Sequence, residues 1–189
     1  MKIWNISFFS VFILVMPGII TNCSDSSSPT DPQPRLIDFF SLNPRATYLH
    51  TCSKPSDTFY DDGAVDATPI LLADLSLAPG DQIRLEAIGD YHNGNDERSK
   101  GIAVFTSSVT LLDASELHRI PDAIDAGQDF VTSPTFGCYN EVTDIPEDFG
   151  FEPETLVIIP MGATHIFICV RDSYYEDNSD SENDFGVNI

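Results

Sequence analysis

From Thr68 onward, apolar residues fall into short runs divided by turn-forming residues. The stretch "QIRLEAIG" sets Ile83, Leu85 and Ala87 against Arg84 and Glu86. That period of two predicts a strand with one buried face. "TPILLADLSL" reads as a strand before it, closed by an Ala78-Pro79-Gly80-Asp81 turn. "GIAVFTS" and "VTLL" predict two more strands, with a Ser-Ser turn between. "ETLVIIP" and "HIFICVRD" flank the turn "MGAT", and "DFGVNI" is the last strand. One interval, "DASELHRIPDAIDAG", carries a helix signal: Asp113 as N-cap with Glu116 three residues on. Pro121 stops that helix within about two turns. "DFVTSPTFGCYNEVTDIPEDFGFEPE" holds three prolines and reads as a surface excursion. No fixed-period repeat is visible. Many short strands with Gly and Pro turns and little helix predict an all-β sandwich.

The start of the chain follows a different pattern. "MKIWNISFFSVFILVMPGIITNC" has one cation, Lys2, then an apolar stretch, then Ile20-Thr21-Asn22-Cys23. It is too short and wrongly flanked for a membrane span, so residues 1–22 are expected to be a secretory signal. Its end resembles a bacterial lipobox, with Asn22 where Gly, Ala or Ser is usual. The resemblance implies an acylated Cys23 and a membrane-bound lipoprotein, anchored at about 0.8 kcal/mol per buried methylene. Ordinary cleavage near Cys23 with release is the alternative. Next, "SDSSSPTDPQP" offers no apolar anchor, so residues 23–35 are expected to be a flexible tether. Residues 36–189 are left as the folded domain, carried on the bacterial cell envelope after export.

A chain of 189 residues suits one domain with a substantial core. A hydrophobic content of 42% makes it globular rather than disordered. The formal net charge of -21, with only 9 Lys and Arg, argues against a nucleic-acid partner, because phosphate binding draws on those cations. The acidity fits a calcium-rich exterior, or simple solubility. With Cys23 set aside, Cys52, Cys138 and Cys169 remain. Cys169 sits in "HIFICV" and reads as a small buried hydrophobe. Export permits one bridge, and Cys52–Cys138 is the pair expected.

The closing stretch "RDSYYEDNSDSENDFGVNI" crowds Asp172, Glu176, Asp177, Asp180, Glu182 and Asp184 between two apolar strands. Such a cluster repels itself unless a hard cation joins it. Calcium takes six to eight oxygens from carboxylates, amides and backbone carbonyls. Asp172, Asp177, Asn178 and the backbone around Tyr174 supply that chemistry, and the adjoining strand ends draw both sides of the loop together. The order is not that of an EF-hand, and no His or Cys pair stands at zinc spacing. A solvated acidic loop is the alternative.

"IPMGATHIFICVRDSYYEDNSDSENDFGVNI" resembles the final hairpin of the PA-IL-like galactophilic lectins, and "LAPGDQIRLEAIGDYHNG" resembles an earlier strand and loop of that family. Together they cover about a quarter of the chain. The resemblance implies a jelly-roll-like β-sandwich holding one calcium (Ca2+), on which sugar hydroxyls coordinate directly. It assigns side-chain ligation to Asp172, Asp177 and Asn178, with Asp172 and Asp177 also touching the sugar. It places a backbone ligand near Tyr174 and another near Tyr91 or Asn93. The sequence departs from the family in two places. "DSEND" replaces a glycine step, and "ERSKG" replaces the sugar-contacting His and Gln, so galactose specificity does not transfer. Lys100 is then the candidate donor to a hydroxyl.

No Gly-x-Ser-x-Gly elbow, His-Glu-x-x-His motif or glycine-rich phosphate loop is present, and the four histidines are scattered. The expected function is therefore not enzymatic. It is calcium-dependent binding of carbohydrate or glycoconjugate by an envelope lipoprotein. The alternative is a structural or adhesive protein whose calcium only ties the terminal hairpin.

Overall fold

The computed structural model describes residues 38–56, 60–94, 96–127, 136–142 and 145–189. The signal, Cys23 and the tether lie outside the described residues. The chain divides into two units, Met1–Gln33 and Pro34–Ile189; the second is described here. No helix among the described residues is long and apolar enough to cross a membrane.

In chain order the strands are β1 (Phe39–Ser41), β2 (Ala46–Thr47), β3 (Val65–Asp66), β4 (Ile70–Leu71), β5 (Gln82–Ile88), β6 (Tyr91–Asn93), β7 (Asp96–Arg98) and β8 (Gly101–Thr106). They continue with β9 (Ala123–Ile124), β10 (Phe136–Gly137), β11 (Glu141–Val142), β12 (Phe149–Phe151), β13 (Glu154–Ile158), β14 (His165–Val170), β15 (Asn178–Ser179) and β16 (Gly186–Asn188). Two antiparallel sheets dominate. One runs β1-β16-β5-β13, the other β12-β8-β14-β4 with β9 added beside β8. The fold is all-β and sandwich-like.

The two sheets bury their facing side chains against each other. Ile83, Leu85 and Ala87 of β5, Val157 of β13 and Val187 of β16 meet Ala103 and Phe105 of β8, Phe149 and Phe151 of β12, and Ile166 and Ile168 of β14. This explains the alternation in β5, whose odd positions point inward. β8 and β14 instead read as unbroken apolar runs because both their faces are buried. Ile102, Val104, Phe167 and Cys169 on the outer face are covered by Tyr48, Leu49, Ile120 and Ile145. Cys169 is a free, buried thiol, and burial pushes its pKa up to about 12. Cys52 and Cys138 form a disulfide.

Four local expectations give way. Only Ile70–Leu71 of the "TPILLADLSL" run is strand; Leu72–Leu75 is a 3-10 turn that Ser76 ends in a left-handed conformation. Leu72 and Leu75, three apart, both face the core, as a three-residue turn requires. "VTLL" forms no strand, and Val109 is 61% exposed, because β8 takes β9 as its neighbour instead. The helix at Asp113 does not form. Asp113 Oδ1 accepts the N–H and hydroxyl of Ser115, an Asx turn, and His118 reverses the chain with φ 48°. The proline-rich excursion ends in a true sheet strand, β12, whose Phe149 and Phe151 enter the core.

Candidate functional site

At one end of the sandwich, β14 stops at Val170 opposite Gly101. The chain then turns through Asp172–Asp177, and β15 pairs with β6, Asn178 facing Asn93 and Ser179 facing His92. β6 folds back on β7, so a small three-stranded sheet caps this end. Beneath it lies an aromatic floor of Tyr91, Tyr175, Phe185 and Val170. Tyr91 and Phe185 meet edge to face at 4.9 Å. The Tyr175 hydroxyl donates to the Asp172 carbonyl at 2.9 Å, fixing the strand exit.

The loop itself is built around Asp172. Its Oδ1 accepts the Ser173 N–H at 2.6 Å and the Tyr174 N–H at 3.4 Å. Its Oδ2 is buried and has no hydrogen-bond partner. Burial raises the Asp172 pKa above the ordinary carboxylate value; the Ser173 N–H, the Asn178 side chain and the Tyr174 N–H oppose this, and the Asp177 charge adds to it. Asn178 is fully buried. Its Nδ2 donates to the Pro44 carbonyl at 3.0 Å, and its own carbonyl accepts Arg45 Nε at 3.0 Å. Its Oδ1 is left without a partner. The buried Tyr91 hydroxyl is also unpartnered and feels the Asp172 charge. Asp177 approaches the β6–β7 turn so closely that a Cβ on Gly94 would stand 3.1 Å from its Oδ2.

Asp172, Asp177, Asn178, Tyr91 and Asn93 are thus gathered at one end of the molecule, with Tyr174 in the same loop. Lys100 is placed elsewhere. It lines a hollow of about 250 Å³ with Gly101, Phe151, Glu152, Glu154 and Arg171, a set that contains none of the candidate oxygens. Arg171 and Asp172 are consecutive, so this hollow adjoins the loop through the chain at Arg171. The "DSEND" insertion is folded by its own first residue. Asp180 Oδ1 accepts the Asn183 N–H at 2.7 Å and Oδ2 accepts the Phe185 N–H at 3.1 Å. Its carboxylate therefore closes a local loop, while Glu182 and Asp184 face solvent.

Residues that sequence reasoning did not single out hold the loop in place. Asp61 is buried, and its Oδ2 accepts the Tyr175 N–H at 2.8 Å. Burial raises its pKa against the pull of backbone N–H groups of Tyr175 and Glu176. Gly63 lies under Glu176, where a Cβ would come within 2.7 Å of the Glu176 Cα. The Asp-Asp-Gly turn signal at 61–63 was visible, but not the segment it serves. His50, Cys138 and Glu141 also gather within 4.8 Å of one another. Cys138 is bonded to Cys52 and offers no thiolate, so in this oxidised form the group reduces to a contact of 3.3 Å between His50 Nε2 and Glu141 Oε2.

The oxygens at Asp172, Asp177 and Asn178 suit a hard cation, not zinc or a redox metal, because no nitrogen or sulfur ligand stands among them. No family model, curated protein or solved structure matches the chain.

Proposed function

We propose that this chain is an exported, lipid-anchored binding protein whose β-sandwich carries calcium and takes carbohydrate or glycoconjugate through that ion. One observation carries the reading. Asp172 Oδ2 and Asn178 Oδ1 are buried acceptors that lack a well-formed hydrogen bond, in a loop where the exposed Asp177 adds a second carboxylate. Buried polar atoms are nearly always satisfied, and a buried carboxylate without a counter-charge is strongly unfavourable. A divalent cation answers both needs. Side chains of Asp172, Asp177 and Asn178, with the backbone of Tyr174 and of Tyr91 or Asn93, approach the oxygen count calcium accepts and leave positions for two vicinal hydroxyls. Asp172 and Asp177 then accept the protons of those hydroxyls. The likeness of the terminal hairpin to the PA-IL-like lectins supports the sugar, and the Cys23 lipobox supports the anchor.

A second reading, calcium as a structural tie alone, is favoured by the complete burial of Asn178. The two readings separate experimentally. Calorimetric titration should show calcium binding, and EDTA should lower the melting temperature. No binding and no shift would sink both readings. A glycan array read with calcium and with EDTA then distinguishes them, since a purely structural ion gives no calcium-dependent sugar signal.

A further inference from the structure

Two tyrosines stand beside the candidate cation site on a support that packing alone does not explain. Tyr139 and Tyr174 meet with ring centroids 4.9 Å apart and planes tilted by 50°. Tyr139 remains 42% exposed. Tyr174 is two residues from Asp172, whose Oδ1 accepts its N–H, and its hydroxyl donates to Glu176. Tyr139 arrives from the β10–β11 hairpin, and its N–H donates to the Ser173 carbonyl at 2.9 Å.

The hairpin is held in an unfavourable shape. Cys138, Tyr139 and Asn140 are consecutive left-handed residues, with φ of 33°, 53° and 74°. A tyrosine gains nothing from that conformation, which L-residues with a Cβ avoid. Strain of this kind persists where surrounding structure over-determines it, and it collects at ligand sites. Two devices hold it here. The disulfide ties Cys138 to Cys52, whose carbonyl accepts the N–H of Asp61, the residue that anchors Tyr175. The His50–Glu141 pair fastens the far side of the same turn. The result is an exposed aromatic ring pinned next to the loop of buried, unpartnered oxygens.

We infer that Tyr139 and Tyr174 form a stacking shelf for the apolar face of a pyranose ring, contiguous with the cation. Ligand sites of this class combine aromatic surface with a few placed polar groups, and here the ion fixes hydroxyls while the shelf takes the C–H face. The same surroundings set the ligand's charge. The cation neutralises Asp172 and Asp177, but Glu176 lies against Tyr174 in a chain of net charge -21. A neutral saccharide is accepted, and a sialylated or sulfated one is repelled. The inference rests on the proposed cation site.

The test uses the full chain on an array of immobilised galactosyl, mannosyl and fucosyl oligosaccharides beside sialylated ones, with calcium and with EDTA. Tyr139→Asn removes the ring and suits the left-handed backbone, so the hairpin survives. It should lower the apparent affinity for the best neutral glycan about tenfold, with calcium affinity unchanged and the melting temperature lowered only as far as loss of the ring contact with Tyr174 requires. Tyr139→Phe should bind as wild type. A Tyr139→Asn protein that binds glycans at full strength overturns the shelf while sparing the cation site. Preference for sialylated glycans overturns the neutral-ligand assignment. Wild type that binds calcium without any sugar overturns the shelf and the sugar reading together, and absence of calcium binding removes the premise of both.

Discussion

At the scale of the residue, Asp172 decides the chemistry. The residue is half-buried, its Oδ2 is fully buried without a well-formed hydrogen bond, and desolvation drives it towards protonation. In calcium-free protein at neutral pH, Asp172→Asn should melt at or above the wild-type temperature, because an amide is not penalised by burial as a charge is. Added calcium should raise the wild-type melting temperature and leave the variant unmoved. Equal calcium-dependent rises in scanning calorimetry would remove Asp172 from the ligand set. Asp180 makes the contrast, being a loop-closing carboxylate. Asp180→Ala should lower stability by about 1–2 kcal/mol in denaturant melts yet keep a calcium-dependent shift. Asp172, Asp177 and Asn178 were legible in the sequence because they share one short loop. Asp61 and Pro44 were not, because they reach Tyr175 and Asn178 across 114 and 134 residues, one through a backbone N–H and the other through its own carbonyl. Neither leaves a compositional trace. Lys100, a candidate because it falls where the lectins have their sugar-contacting residues, lines a hollow with Arg171, Glu152 and Glu154.

At the scale of the element, the strands with an unambiguous pattern were readable. β5 alternates because one face is wet, and β8 and β14 are apolar throughout because both faces are covered. The misread segments were those where a short apolar run or a capping pair had no neighbour to fix its meaning. Asp113 and Glu116 are spaced for a capping box, yet Arg119 pulls the segment into a loop. Its guanidinium is buried and donates to the Leu112 and Leu49 carbonyls and to Asp66. The β6–β7 turn matters most for the site. Gly94 has φ +58° and stands against Asp177. Gly94→Ala imposes a left-handed alanine, costing about 1–2 kcal/mol, and presses a methyl on the carboxylate. Calcium affinity should fall several-fold in a titration, and an unchanged value would mean that Asp177 is not held by this turn.

At the scale of the whole molecule, the terminal loop is gripped from both sides by one covalent link. Cys52 and Cys138 join segments 86 residues apart, one leading to Asp61 and the other to Tyr139. Closing so long a loop restricts the unfolded chain and stabilises the fold by roughly 2–5 kcal/mol. The Cys52→Ser/Cys138→Ser double variant should therefore melt earlier. It should also bind calcium more weakly, because the β10–β11 hairpin is freed from Ser173. A variant that loses stability but keeps full calcium affinity would confine the bridge to the fold. The acidity of the sequence suggested a cation, but nothing in it suggested this enclosure, which depends on contacts that form only when the whole chain is assembled.

The first and last strands lie side by side, with Asp38 bonded to Ile189 in both directions and Leu42 bonded to Phe185. Phe185 belongs to the floor under Asp172, whereas Asp38 sits at the opposite tip of the same ladder. The first strand thus opens at the tip of this ladder farthest from Phe185. Pulling the two ends of this unit apart would therefore unzip the ladder from the tip remote from the carboxylates, and the floor under Asp172 would be the last part of it to open.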